Sequence, residues 1–183
     1  MTQVQRAKSA LGFLAGHAKR CLRPFALYFL SSLALAGILA GCMEQGVALG
    51  ESAPSISAKD FRGRAVSLED FAGKAIIIRF WNRGCTICMR EMPYLEKLQH
   101  EHEGKFVVLA INAHDSPAEI ERVRASLGVS YPLLRDDLDI TTRRYGVVAI
   151  PTMFLIDKEG KVRDKIYGEQ PWNSVRTRIL GIL

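Results

Sequence analysis

Phe80-Trp81-Asn82-Arg83-Gly84-Cys85-Thr86-Ile87-Cys88-Met89-Arg90-Glu91-Met92-Pro93 follows directly on the run Ala75-Ile76-Ile77-Ile78-Arg79. The earlier run is apolar on both faces, which marks a strand inside a sheet rather than at its edge. From Cys85 to about His102 the spacing turns helical. A Cys-x-x-Cys pair therefore falls at a strand-to-helix junction. Cys85 takes the helix N-terminus, where unpaired N–H groups and the positive dipole end favour a thiolate. Cys88 lies one turn on, close enough to close a disulfide ring. This geometry suits thiol–disulfide exchange, with Cys85 as nucleophile and Cys88 as resolving thiol. Lowering a thiol pKa from about 8.5 toward 7 requires only ~2 kcal/mol, which a helix terminus and one cation supply. Arg83 is the candidate cation.

The flanking sequence alternates strands and helices. Ser55–Lys59 and Ala65–Ser67 enclose Arg62-Gly63 and read as a hairpin. Phe106 to Ala113 is a second buried strand. Ser116-Pro117-Ala118-Glu119 opens a helix with capping-box spacing and Pro in its first turn, and Gly128 stops it. Leu133-Leu134 gives a short strand and Ile140–Tyr145 a short helix. Thr152–Ile156 and Lys161–Tyr167 form a second hairpin around Asp157-Lys158-Glu159-Gly160, and Trp172 to Leu183 is a terminal helix. The fold class is α/β: a thioredoxin-like fold with a central mixed sheet flanked by helices, an N-terminal hairpin and an extra helix–strand insert. That domain covers residues 54–183.

Residues 1–23 carry Arg6, Lys8, Lys19, Arg20 and Arg23 and no acid, and an apolar run of 17 residues, Phe25 to Gly41, follows. This is the form of a secretory leader. It ends in Leu39-Ala40-Gly41-Cys42, which resembles a bacterial lipoprotein signal, with Cys42 as the lipid attachment point of the mature chain. An uncleaved membrane anchor is the alternative, and 17 residues is short for one. The expected division is 1–41 signal peptide, 42–53 membrane tether and 54–183 domain, with the domain outside the cytoplasm in a bacterial cell envelope. Five of the 25 Lys and Arg lie in the leader and none of the 19 acids, so the remainder holds 20 basic and 19 acidic residues. Five of the six net positive charges thus belong to the leader, and nucleic acid is not an expected partner.

The chain resembles the TlpA/ResA group of extracytoplasmic thiol–disulfide oxidoreductases over about residues 50–183. The resemblance rests on Val66 to Lys74, Phe80-Trp81, Cys85/Cys88 with Glu91-Met92-Pro93, and Ile150-Pro151-Thr152 leading into Phe154 to Asp157. It implies a protein-disulfide reductase that uses no cofactor and no metal. Implied partners are protein thiol or disulfide clients, apocytochrome c among them, and a membrane thiol transporter as electron donor. By the same resemblance Pro151 is a cis proline facing the cysteines, and the backbone of Ile150 pairs with a client strand. Trp81, Ile150, Pro151 and Thr152 are then the client-contacting residues. Glu91, one turn after Cys88, is implied as its proton acceptor.

Three departures matter. Gly84 and Ile87 stand where the group carries tryptophan and proline, and Arg79 stands on the central strand where thioredoxins proper keep an acid. A buried arginine requires a partner, and Glu91 is the nearest acid by position. Two other functions share these residues. A thiol peroxidase of the peroxiredoxin type wants Thr three residues before the reactive cysteine, where this chain has Asn82. A thioredoxin-like copper chaperone wants a histidine from a late loop, and none follows His114.

Overall fold

The computed structural model describes residues 46–183. The leader, Cys42 and the first residues of the expected tether lie outside them. The strands are β1 (Ala58–Lys59), β2 (Ala65–Val66), β3 (Ala75–Trp81), β4 (Phe106–Asn112), β5 (Leu133–Arg135), β6 (Thr152–Ile156) and β7 (Val162–Tyr167). The α-helices are α1 (Thr86–Glu101), α2 (Pro117–Leu127), α3 (Ile140–Arg144) and α4 (Trp172–Leu180), with a 3-10 turn at Leu68–Phe71. Among the described residues no helix is long and apolar enough to cross a membrane.

The strands make one mixed sheet in the order β2-β1-β5-β4-β3-β6-β7. β3 is central: it runs parallel to β4, with Ile78 beside Leu109, and antiparallel to β6, with Ile78 beside Phe154. Every residue of β3 and β4 is buried, which is why both read as apolar runs interrupted only by Arg79 and Asn112. Side-chain alternation splits the core between the two faces. Ile77 and Trp81 pack with Met92 and Leu95 of α1, Ile120 of α2 and Ile179 of α4. Ile76, Ile78 and Phe80 pack with Tyr145, Phe154 and the hairpin residue Val66 on the other face.

Local signals set the ends of α2. Ser116 caps it with Glu119 in a reciprocal capping box, Pro117 occupies its first turn, and Gly128 closes it in the left-handed conformation (φ 63°). Part of the expected tether, residues 50–53, is bound to the sheet. The Gly50 N–H donates to the Val162 carbonyl (2.7 Å), the Val162 N–H to the Glu51 carbonyl (2.9 Å), and the Ala53 N–H to the Gly160 carbonyl (2.9 Å). The outer edge of β7 offers unpaired backbone groups, and residues 50–53 satisfy part of them. Further back, Gly46 lies against Gly146, where a Cβ would sit 2.6 Å from the Gly46 Cα.

Candidate active site

Cys85 and Cys88 stand at the carboxyl end of β3, the middle strand of the sheet, where α1 begins. The Cys85 N–H donates to the Asn82 carbonyl (3.1 Å), which folds residues 82–85 into a turn. Cys85 is the N-cap of α1, and the two cysteines form a disulfide with Cα atoms 5.2 Å apart. The Cys88 N–H points at the Cys85 Sγ (3.1 Å). That is a helix N-terminal donor aimed at the sulfur that would carry charge once the bond is reduced. Cys85 is half-buried, whereas Cys88 is 0% exposed within the α1 face of the core. One sulfur is open to a partner and the other is not.

Beneath the pair lies a buried ion pair. Alternation along β3 sends Arg79 to the same face as Ile77 and Trp81, toward α1. Its Nη2 meets the Glu91 Oε2 one turn beyond Cys88, with the side chains 2% and 7% exposed. The pair expected from position is thus formed, strand to helix. Burial pushes the Arg79 guanidinium down from its ordinary value, and the Glu91 carboxylate beside it pulls back up. The Arg79 Nε has no hydrogen-bond partner. Tyr131 lies alongside, its hydroxyl donating to the Met92 carbonyl (3.3 Å). Burial first, and the Glu96 charge second, push that phenol up, while Arg79 opposes them. Glu91 is not sealed in. It lines a cleft of about 380 Å³ with Arg90, Tyr94, Glu169 and Trp172, and Arg90 is ion-paired to Glu169 at this cleft.

Just before β6, which pairs with β3, the Ile150–Pro151 bond is cis. Pro151 is buried and Ile150 is 36% exposed, with Val148 almost fully exposed beside it. Three expected roles need revision on geometry. Trp81 is only 1% exposed and packed in the core, because its position on β3 faces α1; it has no surface to offer a client. Thr152 is equally buried, and its hydroxyl donates to the Ala149 carbonyl (2.7 Å), so it holds the 149–151 turn rather than reaching outward. The Arg83 guanidinium is paired with Glu119 of α2 (3.3 Å), so its charge is already met by a carboxylate.

Sequence reading missed a group on the β4–α2 turn. Asn112, 1% exposed at the end of β4, accepts the N–H groups of His114 (3.1 Å) and Asp115 (2.9 Å) through its Oδ1. Its Nδ2 donates to the Asp115 Oδ2 (2.7 Å), and that same oxygen accepts the Arg83 N–H (2.6 Å). The signal available in sequence was a polar Asn112 ending an apolar strand, three residues before an acid.

Comparison with known proteins agrees with this geometry. Residues 49–165 match the model of the AhpC/TSA family. The thiol-disulfide oxidoreductase ResA of Bacillus thuringiensis subsp. konkukian is 34% identical over 128 residues, 69% of this chain and 74% of that one. The thioredoxin-like protein YneN of Bacillus subtilis is 35% identical over 124 residues, 66% of this chain and 72% of that one. Among solved structures, one described as the thiol:disulfide interchange protein DsbE of Chlorobium tepidum superposes with a TM-score of 0.69 at 27% identity. That match covers 75% of this chain and 99% of that one. With an AhpC/TSA match over most of its length, a thioredoxin-like sheet and a Cys-x-x-Cys disulfide at the start of α1, the chain belongs to the AhpC/TSA family, as a thiol–disulfide oxidoreductase of the ResA and DsbE type.

Proposed function

We propose that this oxidoreductase works outside the cytoplasm, held to a bacterial membrane through a lipid on Cys42, and that it reduces disulfides in protein clients. The observation that carries the reading is the unequal burial of the pair: Cys85 is half-buried and Cys88 is 0% exposed. A client disulfide can reach only Cys85. The Cys85 thiolate attacks one client sulfur, a mixed disulfide forms, and the displaced client thiolate takes a proton. Cys88 then loses its proton and attacks the Cys85 Sγ. The second client thiolate leaves, and the Cys85–Cys88 disulfide closes. The client gains two electrons and the pair loses two.

Glu91, one turn from Cys88, accepts that proton and passes it to solvent through the Arg90–Glu169 cleft it lines. Arg79 is the positioning residue that fixes where the carboxylate sits. Ile150, 36% exposed at the cis bond and sharing a cleft with Asn82, is the client-contacting residue, with Pro151 next to it. The oxidised pair is recharged by a membrane thiol transporter. Cysteine-containing proteins matured in the envelope, apocytochrome c among them, are the client class.

The test is a trap. Full-length chain carrying Cys88→Ser, expressed in its host, cannot resolve the mixed disulfide. It should accumulate adducts through Cys85 with envelope proteins, released by dithiothreitol. Absence of adducts, or adducts that persist when Cys85 is also replaced, contradicts the reductase reading. The mass of the native N-terminal peptide decides the anchor: a lipidated Cys42 is expected, and an intact leader contradicts it.

A further inference from the structure

The charges around the cysteine pair are arranged in opposite couples, with one exception. On β3 and α1, Arg79 meets Glu91. Between α1 and the β7–α4 connection, Arg90 meets Glu169. From the active-site loop, Arg83 meets Glu119, whose carboxylate the Arg122 charge of α2 also helps hold down. The segment Val147 to Pro151 carries no charge. Asp115 is left over: its oxygen accepts only the neutral Arg83 N–H and the neutral Asn112 amide, and among the described residues it makes no ion pair. His114 beside it is exposed and makes none either. The carboxylate is thereby fixed against the backbone of the turn that carries Cys85, two residues before the nucleophile.

We propose that Asp115 is a positioning residue that also sets the redox poise of the Cys85–Cys88 pair, holding it on the reducing side. The geometry does two separable things. The hydrogen bond from Arg83 N–H, with the turn bond from Cys85 N–H to the Asn82 carbonyl, fixes where the Cys85 sulfur sits. The negative charge opposes a second negative charge on that sulfur. Stabilising the thiolate makes a dithiol pair a stronger oxidant, because it favours the reduced form. An unpaired carboxylate beside the nucleophile does the reverse. Arg83, which could have offset it, is diverted to Glu119. Asn112 keeps Asp115 in place from the buried end of β4. This inference rests on the reductase reading above and gives it a physical origin.

Asp115→Asn separates the two effects. The carboxamide oxygen still accepts the Arg83 N–H, and only the charge is lost. Asp115→Ala loses both. Full-length chain purified in detergent is equilibrated with dithiothreitol buffers at pH 7, and Cys85 alkylation by iodoacetamide is followed against pH by peptide mapping. Asp115→Asn should lower the midpoint of Cys85 alkylation by about half a unit. It should shift the equilibrium toward the dithiol by at most about threefold, or about 14 mV at 29.6 mV per tenfold, the full shift being reached once pH exceeds that midpoint. Its melting temperature should match wild type, while Asp115→Ala should show the same redox shift and melt lower. If Asp115→Asn keeps the wild-type midpoint and equilibrium, the charge has no role and the proposal fails. A wild-type pair more oxidising than glutathione, with the Asp115→Asn shift present, would overturn the reductase reading and leave the Asp115 assignment standing.

Discussion

Arg79 and Glu91 show how one exchange of residue type reshapes a site. A guanidinium on the central strand, 1% exposed, is tolerable only with a carboxylate against it. Glu91 supplies that carboxylate from the turn of α1 just beyond Cys88. Removing either partner strands the other. Glu91→Gln should destabilise the fold by about 3 kcal/mol, because it leaves a buried arginine without its counter-ion. Arg79→Leu removes the cation that fixes the Glu91 carboxylate across the strand–helix junction. With its proton acceptor displaced, the rate of disulfide reduction at pH 7 should fall. Melting curves and pH–rate profiles of the two variants check both statements. Wild-type behaviour in both would remove the pair from the mechanism and from the stability of the domain.

Secondary-structure elements were legible where a short-range rule decides them. β3 and β4 are apolar but for Arg79 and Asn112 because they lie inside the sheet, and α2 carries its own start and stop in Ser116, Glu119 and Gly128. The junction of β3 and α1 was legible for the same reason, and with it the cysteine pair. Choices among distant partners were not. Nothing near Arg83 in sequence says that its guanidinium goes to Glu119 and its N–H to Asp115, 32 residues away. Trp81 reads as a site aromatic beside the cysteines, yet its register on β3 turns it inward. Residues 50–53 read as tether because small and polar residues are common there, and only the vacant edge of β7 explains their binding. The contact behind them predicts a consequence. Gly146 has φ 61°, and a side chain there would also overlap the Gly46 Cα. Gly146→Val should therefore cost about 1–3 kcal/mol of stability and expel the segment around Val47. Hydrogen exchange should then quicken at Gly50 and Val162, and unchanged protection there would refute the contact.

The domain as a whole is a mixed sheet with a core on each face, and its polar network ties the loops to that core through carboxylates. Asp164 is held below its ordinary value first by the side-chain bond from Arg178. Glu119 is held down by the Ser116 backbone and hydroxyl. Burial raises Asp157, but the Lys161 N–H and Arg163 outweigh it and leave it lowered. Carboxyls with depressed values in the fold lend stability that is fully present above their unfolded values, near 3.8 for Asp and 4.5 for Glu, and is lost as pH falls through the folded ones. The melting temperature should be nearly flat from pH 5 to 7 and fall below about pH 4. A melting temperature that rises on acidification would contradict the assignment. All of this supports one reactive sulfur at the end of β3, with the other sealed beneath it. That asymmetry is measured by timed iodoacetamide labelling of the reduced full-length chain at pH 7, with peptide mapping of each cysteine. Cys85 should be alkylated at least about tenfold faster than Cys88, as a helix-terminal thiol open to solvent against a buried one. Equal rates, or faster labelling of Cys88, would contradict Cys85 as the nucleophile and the exchange sequence built on it.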